Sequence, residues 1–278
     1  MSLHRLNKIV CYIVLILLTI LCLFSFYLLI VNSSRVHSQI QKGFSMTLGN
    51  NFLTNLKNVL GKKELPVIKG IINSLIVSGA TATLATYFSV LTAFAIHTYN
   101  FRFKKIAFTF IMMIMMVPPQ VNALGFVKWM GNLGLMDSLV PLFLPSIASP
   151  IVFYFILSYM QSSLPKAIIE AARIDGASEF RIFNLIVLPV MKPAIAVQAI
   201  FTFVSAWNNY FIPSLIIRSA ENKTMPILVA QLRSADFLKF DMGQVYMLVF
   251  LAIIPIIIIY IFISKYIVRG VAVGSVKE

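Results

Sequence analysis

The amino-acid sequence predicts an all-α integral membrane protein with six transmembrane helices. Of its 278 residues, 59% are hydrophobic and 12% are charged, against roughly 25% charged residues in an ordinary soluble domain. A membrane-spanning helix needs about 20 mostly apolar residues, and six uncharged stretches of the chain are long enough. They do not alternate as the strands of an outer-membrane barrel do. The predicted spans are approximately residues 9–31, 70–96, 106–127, 138–161, 186–215 and 242–265.

These spans leave no stretch long enough for a soluble domain, so residues 1–278 are predicted to form a single transmembrane domain. The net charge is +14, but the basic residues are scattered through the loops and form no aromatic-interleaved patch for nucleic acid. Contact with anionic lipid headgroups accounts for them. The first apolar run is too long for the core of a secretory signal peptide, which favours a retained first helix.

The second and third spans carry two further signals. Residues Ser74, Ser78, Ala82 and Thr86 recur at intervals of four, which places small side chains on one helix face and predicts close packing against another helix. Adjacent prolines, Pro118 and Pro119, interrupt the third span. Backbone groups freed by such an interruption are tolerated inside a membrane where protein or a watery cavity satisfies them.

The sequence predicts no enzyme. Its three histidines are far apart, and no Cys, His or Asp cluster has metal-ligand spacing. The uncharged span cores lack the carboxylates that relay protons in many carriers, although sodium sites built from backbone carbonyls remain compatible with the sequence. There is also no phosphate-binding glycine-rich loop. If ATP drives this protein, another chain must bind it.

A polar segment between the fourth and fifth spans predicts a helix, a turn and a second helix at the membrane surface. Pro165 suits the start of a helix, and Gly176 permits the left-handed conformation that ends one. Ser178 can cap a second helix that has Glu179 in its first turn. We assign residues 163–184 to this loop.

The same segment resembles the EAA loop of ABC importer permeases, and the wider pattern resembles the carbohydrate-uptake branch that includes the maltose permeases. The matching residues in the loop are Glu170, Ala171, Ala172, Asp175, Gly176, Ala177, Ser178, Phe183, Ile186, Leu188, Pro189 and Pro193. Further matches are Asn73-Ser74-Leu75, Trp207-Asn208 and the C-terminal run from Gly270 through Gly274 to Lys277. Nearly the whole chain is covered in order.

This resemblance implies a permease subunit whose loop docks on a cytoplasmic ATPase. The residues it implies for coupling are Glu170, Ala171, Ala172, Asp175, Gly176, Ala177 and Ser178, with Gly274 and Lys277 in a tail that faces the ATPase. The chain itself would hold no cofactor, because ATP and Mg²⁺ would bind to the partner ATPase dimer. A second homologous permease subunit and an extracellular or periplasmic solute-binding protein would complete the importer.

Residues for the solute path follow from the chemistry of sugars, which are neutral and rich in hydroxyls. Amides and aromatic faces suit such a solute, and the candidates are Gln120, Asn122, Trp207, Asn208, Asn209 and Tyr210. In a membrane the same amides also serve as interhelical contacts, and Trp or Tyr as interfacial anchors. A di- or oligosaccharide is the expected solute. An ABC permease for a different solute and an ion-coupled secondary carrier are the alternatives.

The orientation rests on two observations. The basic residues divide almost evenly between the two sides, but the tight loop at 102–105 and the N-terminus favour a cytoplasmic N-terminus under the positive-inside rule. The family resemblance implies the same orientation, with the loop and both termini in the cytoplasm. We therefore expect a multi-pass protein of a prokaryotic cell (inner) membrane.

Overall fold

The computed structural model describes residues 3–234 and 241–274, and within those ranges every regular segment is a helix. The α-helices are α1 (Leu3–Ser33), α2 (His37–Gln41), α3 (Phe52–Gly61), α4 (Val67–Thr98), α5 (Lys104–Ile114), α6 (Pro119–Asn132), α7 (Val140–Phe143), α8 (Pro150–Ser163), α9 (Lys166–Ile174), α10 (Glu179–Ile182), α11 (Leu188–Trp207), α12 (Phe211–Ile216), α13 (Met225–Arg233) and α14 (Met242–Gly274). Short 3₁₀ helices cover Leu144–Ile147 and Ala220–Asn222, and a π-helix covers Phe183–Val187. Lys277 of the predicted ATPase-facing tail lies outside the described residues.

The all-α membrane class is confirmed. Five helical segments of the described ranges are long and apolar enough to cross a membrane, and the pair α5 and α6 makes a sixth if it counts as one bent span. These segments correspond to the six predicted spans. Pro193 and Pro255 lie inside continuous helices, α11 and α14, and do not end them.

Three of the predicted spans differ from the structure in detail. The third is not a straight helix: α5 stops at Ile114 and α6 restarts at Pro119, with their axes 96° apart. Pro118 and Pro119 explain the break, because proline lacks an N–H and disfavours helical geometry in the residue before it. The fourth contains the 3₁₀ segment before α8, and the fifth ends at Trp207 and resumes as α12.

The chain divides into two compact units, and the first comprises Met1–Ile68 and Leu228–Pro255. Helix α1 is exposed along almost all of its described side chains, as expected of a helix whose apolar surface faces lipid or another chain. A buried polar joint follows it. The Asn55 amide donates to the carbonyl oxygens of Ser33 (2.8 Å) and Arg35 (3.0 Å).

The second unit comprises Lys69–Ile227 and Ile256–Glu278. Its main core joins α4, α8, α9, α10, the π-helix and α11. The largest fully buried side chains there are Ile156, Met160, Leu164, Ile169, Ile182 and Met191. The predicted packing face of the second span is confirmed, since Ser74, Ser78, Ala82 and Thr86 are all buried.

Candidate functional site

The predicted helix, turn and helix are present between α8 and the π-helix, and we call residues 165–182 the hairpin. Helix α9 ends in a Schellman motif, in which the Ala177 amide donates to the Ala172 carbonyl (3.0 Å) and the Gly176 amide to the Arg173 carbonyl (3.0 Å). Gly176 has φ +77°, in the left-handed region that favours glycine. The Ser178 hydroxyl accepts a hydrogen bond from the Arg181 amide (3.4 Å) and caps α10. The local predictions for this segment are therefore confirmed.

One face of the hairpin packs on the core and the other is open. Ile169 and Ala172 are buried, and Ala177 is half-buried against the same core. Ile174 is 88% exposed and Phe180 is 75% exposed, although both are large apolar side chains. Exposed apolar groups on a small protruding element are typical of a docking surface.

The predicted coupling residues divide between these two faces. Glu170, Ala171, Asp175, Gly176 and Ser178 are exposed, so they are available to an opposing surface. Ala172 lies on the buried face of α9, and its small side chain lets α9 pack closely on the core of this unit. Among the residues predicted for coupling, Ala172 therefore packs on the core of this chain and is not exposed to a partner.

A polar cluster fastens the hairpin to the end of α4. The Arg173 Nε lies 2.7 Å from the Glu179 Oε1, across the glycine turn. The Tyr99 hydroxyl donates to the other oxygen of Glu179, and the Arg173 guanidinium lies 5.3 Å from the centre of the Tyr99 ring. Partial burial raises the pKa of the Tyr99 phenol, and the bond to Glu179 raises it further. We call these three residues the inner clasp.

Sequence reasoning missed the inner clasp. Arg173 and Glu179 stand six residues apart across a glycine turn, which is a recognisable signal for a local ion pair. Tyr99 precedes Glu179 by 80 residues, and nothing in the sequence indicates that contact. Two further contacts support it: His97 Nε2 lies 3.0 Å from the Leu164 carbonyl oxygen, and Lys104 donates to the Tyr99 carbonyl (3.1 Å).

A cavity of about 590 Å³ lies where three of the membrane segments are interrupted. Its wall is formed by residues on both sides of the α5–α6 break, by the 3₁₀ segment before α8 and by residues that follow α11. The lining is mainly apolar. Its polar members are Asn122, Ser146, Ser149 and Asn209, and it contains no charged side chain. The volume and the mixture of apolar wall and few amides are typical of a small-molecule site.

The cavity brings together two of the predicted solute-path residues, Asn122 and Asn209. The other four do not line it. Gln120, Asn208 and Tyr210 are exposed, while Trp207 is buried and stacks on Phe203 with ring centres 5.8 Å apart. Trp207 was predicted to lie on the solute path, but its side chain is buried and does not line this cavity.

The loop after α6 is clamped to the loop after α12. Asp137 has φ +58°, which is uncommon for a residue other than glycine. Its Oδ1 accepts from the backbone amides of Arg218 and Ser219, both at 2.9 Å. The Arg218 amide, and then the Ser219 amide, holds the pKa of Asp137 below its usual range. No signal in the sequence indicates this clamp.

The structure gives no metal site among the residues that it describes. These contain no group of three or more His, Cys, Asp or Glu side chains arranged to hold a metal ion. Cys11 and Cys22 are exposed free thiols on α1. The geometry therefore offers a docking element and an uncharged cavity.

Residues 85–273 match the family described as "Binding-protein-dependent transport system inner membrane component". The arabinooligosaccharides transport system permease protein AraQ of Bacillus subtilis (strain 168) is 36% identical over 212 residues, 75% of this chain and 73% of AraQ. The lactose transport system permease protein LacG of Rhizobium radiobacter is 29% identical over 275 residues, 99% and 98% of the two chains. The sn-glycerol-3-phosphate transport system permease protein UgpE of Yersinia pestis is 30% identical over 265 residues, 94% of each chain.

Solved structures share the fold. One chain of a bacterial ABC transporter involved in the import of the acidic polysaccharide alginate superposes with a TM-score of 0.80 at 22% identity, covering 96% of this chain and 98% of that one. A chain of the alginate ABC transporter in complex with an alginate pentasaccharide-bound periplasmic protein gives a TM-score of 0.59 at 18% identity, covering 94% and 96%.

Proposed function

The chain belongs to the binding-protein-dependent transport system inner membrane component family, and on that premise we propose that it forms the translocation path for a di- or oligosaccharide in an ATP-driven importer. The resemblance that the hairpin and the terminal motif carry is thereby confirmed. The chain is a membrane-spanning permease subunit. Its solute, its partner chains and its orientation are parts of the proposal.

The observation that carries the coupling role is the exposed face of the hairpin. The hairpin exposes Ile174 and Phe180, while Ile169 and Ala172 anchor it to the core. A short protruding element of this kind is suited to insert into a cleft on another protein. We infer that this cleft belongs to a cytoplasmic ATPase dimer, which binds ATP and Mg²⁺. Glu170 offers a carboxylate to a basic group of that partner, since charge-assisted hydrogen bonds are among the stronger polar contacts. Gly274 and Lys277 are assigned to the same cytoplasmic side.

The proposed solute class rests on the cavity and on the relatives. A lining with amides and hydroxyls but no fixed charge suits a neutral, hydroxyl-rich solute better than an anionic one. Arabinooligosaccharides and lactose are neutral saccharides, whereas glycerol 3-phosphate is an anion. The cavity therefore favours a saccharide. Asn122 and Asn209 are the residues we assign to the solute path.

The remaining partners follow from the same assignment. A second permease subunit would complete the path, and a solute-binding protein would deliver the saccharide outside. We place both termini and the hairpin in the cytoplasm.

A labelling experiment tests this orientation. In a background with Cys11 and Cys22 replaced by serine, a cysteine at Ser178 should react with an impermeant maleimide only after permeabilisation, and one at Ser45 should react in intact cells. Labelling of position 178 in sealed cells would contradict the orientation and the docking model together.

Reconstitution separates a permease subunit from a carrier. Vesicles that hold this chain alone should take up neither radiolabelled lactose nor a labelled arabino-oligosaccharide, with or without a sodium or proton gradient. Vesicles that also hold the second permease, the ATPase and the solute-binding protein of the transporter should take up one of these saccharides when ATP is supplied. Uptake by the single chain on an ion gradient would overturn the proposal in favour of a secondary carrier.

A further inference from the structure

We propose that α4 is a rigid link between the hairpin at one membrane face and the loop of residues 218–224 at the other, held to each by polar contacts near its ends. The inference rests on the proposed function, because it assigns to α4 the transmission of ATP-driven movement of the hairpin. The contacts at both ends lie within the second compact unit, as does the helix from Lys69 onward.

The first end of the link is the inner clasp. Three different interactions join Tyr99, Arg173 and Glu179: an ion pair, a phenol-to-carboxylate hydrogen bond and a guanidinium over an aromatic face. Each of these interactions contributes only modestly to stability when it is partly exposed to solvent. Because each residue contacts the other two, the hairpin cannot rotate about its glycine turn without breaking at least two of the contacts.

An aromatic layer supports the inner clasp from within. The Phe94 ring of α4 lies 5.8 Å from the Phe183 ring and 5.9 Å from the Tyr99 ring. Tyr87, two turns earlier in α4, contacts Phe183 edge to face at 5.7 Å. Phe183 begins the π-helix that follows the hairpin, so α4 is packed against the segment through which the hairpin continues into α11.

At the opposite end of α4, Asn73 and Ser74 hold the loop that follows α12. The Asn73 amide donates to the carbonyl oxygens of Glu221 (2.7 Å) and Lys223 (3.0 Å). The Ser74 hydroxyl accepts from the amide of Met225 (2.8 Å), in a buried contact. We call Asn73 and Ser74 the outer clasp. Both belong to the Asn-Ser-Leu motif of the second span, for which the proposed function supplied no role.

Between the two clasps α4 is built as a continuous rod. Asn73 and Tyr99 are separated by 26 residues, which corresponds to about 39 Å at 1.5 Å per residue and exceeds the roughly 30 Å hydrocarbon core. Helix α4 contains no proline, whereas α11 and α14 each contain one. Its buried small-residue face keeps it in close contact with its neighbours. Movement imposed on the hairpin must therefore reach the outer loop.

A spectroscopic experiment on the whole transporter tests this link without knowledge of the solute. In a background with Cys11 and Cys22 replaced by serine, a spin label is attached to Arg218→Cys, an exposed position in the outer loop. The complex with its ATPase is trapped with ATP and vanadate, and the change in mobility of the label is recorded. With both clasps intact, the mobility of the label should change when the complex is trapped.

Breaking the inner clasp should remove the response. For Tyr99→Phe with Glu179→Gln we expect the ATP-dependent change of the label to fall about tenfold, within the range typical of coupling between distant sites, while the ATPase still co-purifies and hydrolyses ATP. Arg181→Ala is the matched control. It removes a cation from the same hairpin, and no ion pair or side-chain hydrogen bond of Arg181 is found among the described residues. Arg173→Glu combined with Glu179→Arg should recover more of the response than either single variant does.

Breaking the outer clasp should also remove the ATP-dependent change of the label, because it detaches the outer loop from α4. Asn73→Ala should abolish the response of the label, whereas Lys69→Gln should keep it, because the Lys69–Glu221 pair at 3.4 Å is well exposed and contributes little. An unchanged response in the inner-clasp and Asn73→Ala variants would overturn the link. If the mobility of the label does not change with ATP in the complex with wild-type clasps, although the ATPase is retained, the link is overturned and the proposed function stands. Failure of the ATPase to co-purify with the wild-type chain would overturn the proposed function itself.

Discussion

The hairpin and the cavity differ in what builds them. The turn of the hairpin is fixed by neighbours in sequence: a Schellman motif at Gly176, a cap at Ser178 and an ion pair across six residues. The cavity is formed by interruptions in three distant segments and brings Asn122 beside a wall that contains Asn209. An element that transmits force is thus specified locally and held rigidly. A space that admits a solute arises where long helices stop being regular.

The largest expected effect on transport comes from a substitution of Gly176 at the turn of the hairpin. A β-branched residue at φ +77° is a genuine outlier, and left-handed geometry costs an L-residue roughly 1–2 kcal/mol. Gly176→Val should therefore distort the hairpin and abolish uptake of the saccharide, while the membrane spans still insert. Membrane content, co-purification of the ATPase and uptake in vesicles are the measurements.

Two controls isolate the backbone conformation of Gly176. Gly176→Asn should retain much of the uptake, since asparagine tolerates the left-handed region. Gly61→Val places the same side chain at the end of α3, where φ is not positive and an added Cβ meets no neighbouring atom; it should transport normally. Normal uptake by Gly176→Val would sink the idea that the hairpin couples ATP hydrolysis to transport.

A smaller but still large effect is expected from the exposed anchors of the hairpin. Ile174→Ser removes an apolar group that is 88% exposed in this chain, so folding should be unaffected. If Ile174 fills a pocket on the ATPase, losing it should weaken the complex by on the order of 2 kcal/mol, or about thirtyfold in the dissociation constant. Ile168→Ser, on the same helix but only 43% exposed, is the comparison. Equal affinities for the wild type and Ile174→Ser would remove that residue from the docking surface.

The contrast also explains how much the sequence could predict. Pro165, Gly176 and Ser178 act within a few residues, so the hairpin and its turn were predicted correctly. The small-residue face of α4 has a fixed spacing, and it too was predicted. Asn122 and Asn209 could be identified as candidates by type, but Trp207 could not be distinguished from them.

What the sequence could not supply were contacts between distant segments. Whether the Trp207 ring is buried or faces a solute depends on the rotation of α11 against its neighbours, which no local pattern encodes. The bond from Tyr99 to Glu179 and the clamp at Asp137 each join residues about 80 positions apart. The prolines marked the position of the break between α5 and α6, but no pattern in the sequence indicates the 96° angle between the two helix axes.

The cavity can be tested by a more modest effect. Asn209→Ala should lower uptake several-fold, because one lost hydrogen bond to a neutral solute is worth about 0.5–1.5 kcal/mol, and assembly with the ATPase should be unchanged. Asn208→Ala is the matched control, since this neighbouring amide is exposed and does not line the cavity. Transport assays over a range of saccharide concentrations measure both. If Asn208→Ala is the more impaired of the two, the solute path runs outside this cavity.

The smallest effect is expected at Asp137, a residue with positive φ whose carboxylate accepts from two backbone amides of the outer loop. Asp137→Asn keeps a side-chain oxygen for the Arg218 and Ser219 amides and tolerates φ +58°, so only the charge is lost. Hydrogen bonds to an ionised acceptor are roughly twice as strong as neutral ones, and protection of these two amides from hydrogen exchange should fall by less than about tenfold.

The difference in amide protection between Asp137→Asn and the wild type should depend on pH. Because the folded-state pKa lies below its ordinary value of 3.8, the stabilisation is fully present above that value and is lost as the pH falls through the folded-state pKa. Exchange measured on both proteins at the same pH should therefore differ at pH 5–7 and converge in stronger acid, and an equal difference at every pH would show that the Asp137 carboxylate does not order this loop through its charge.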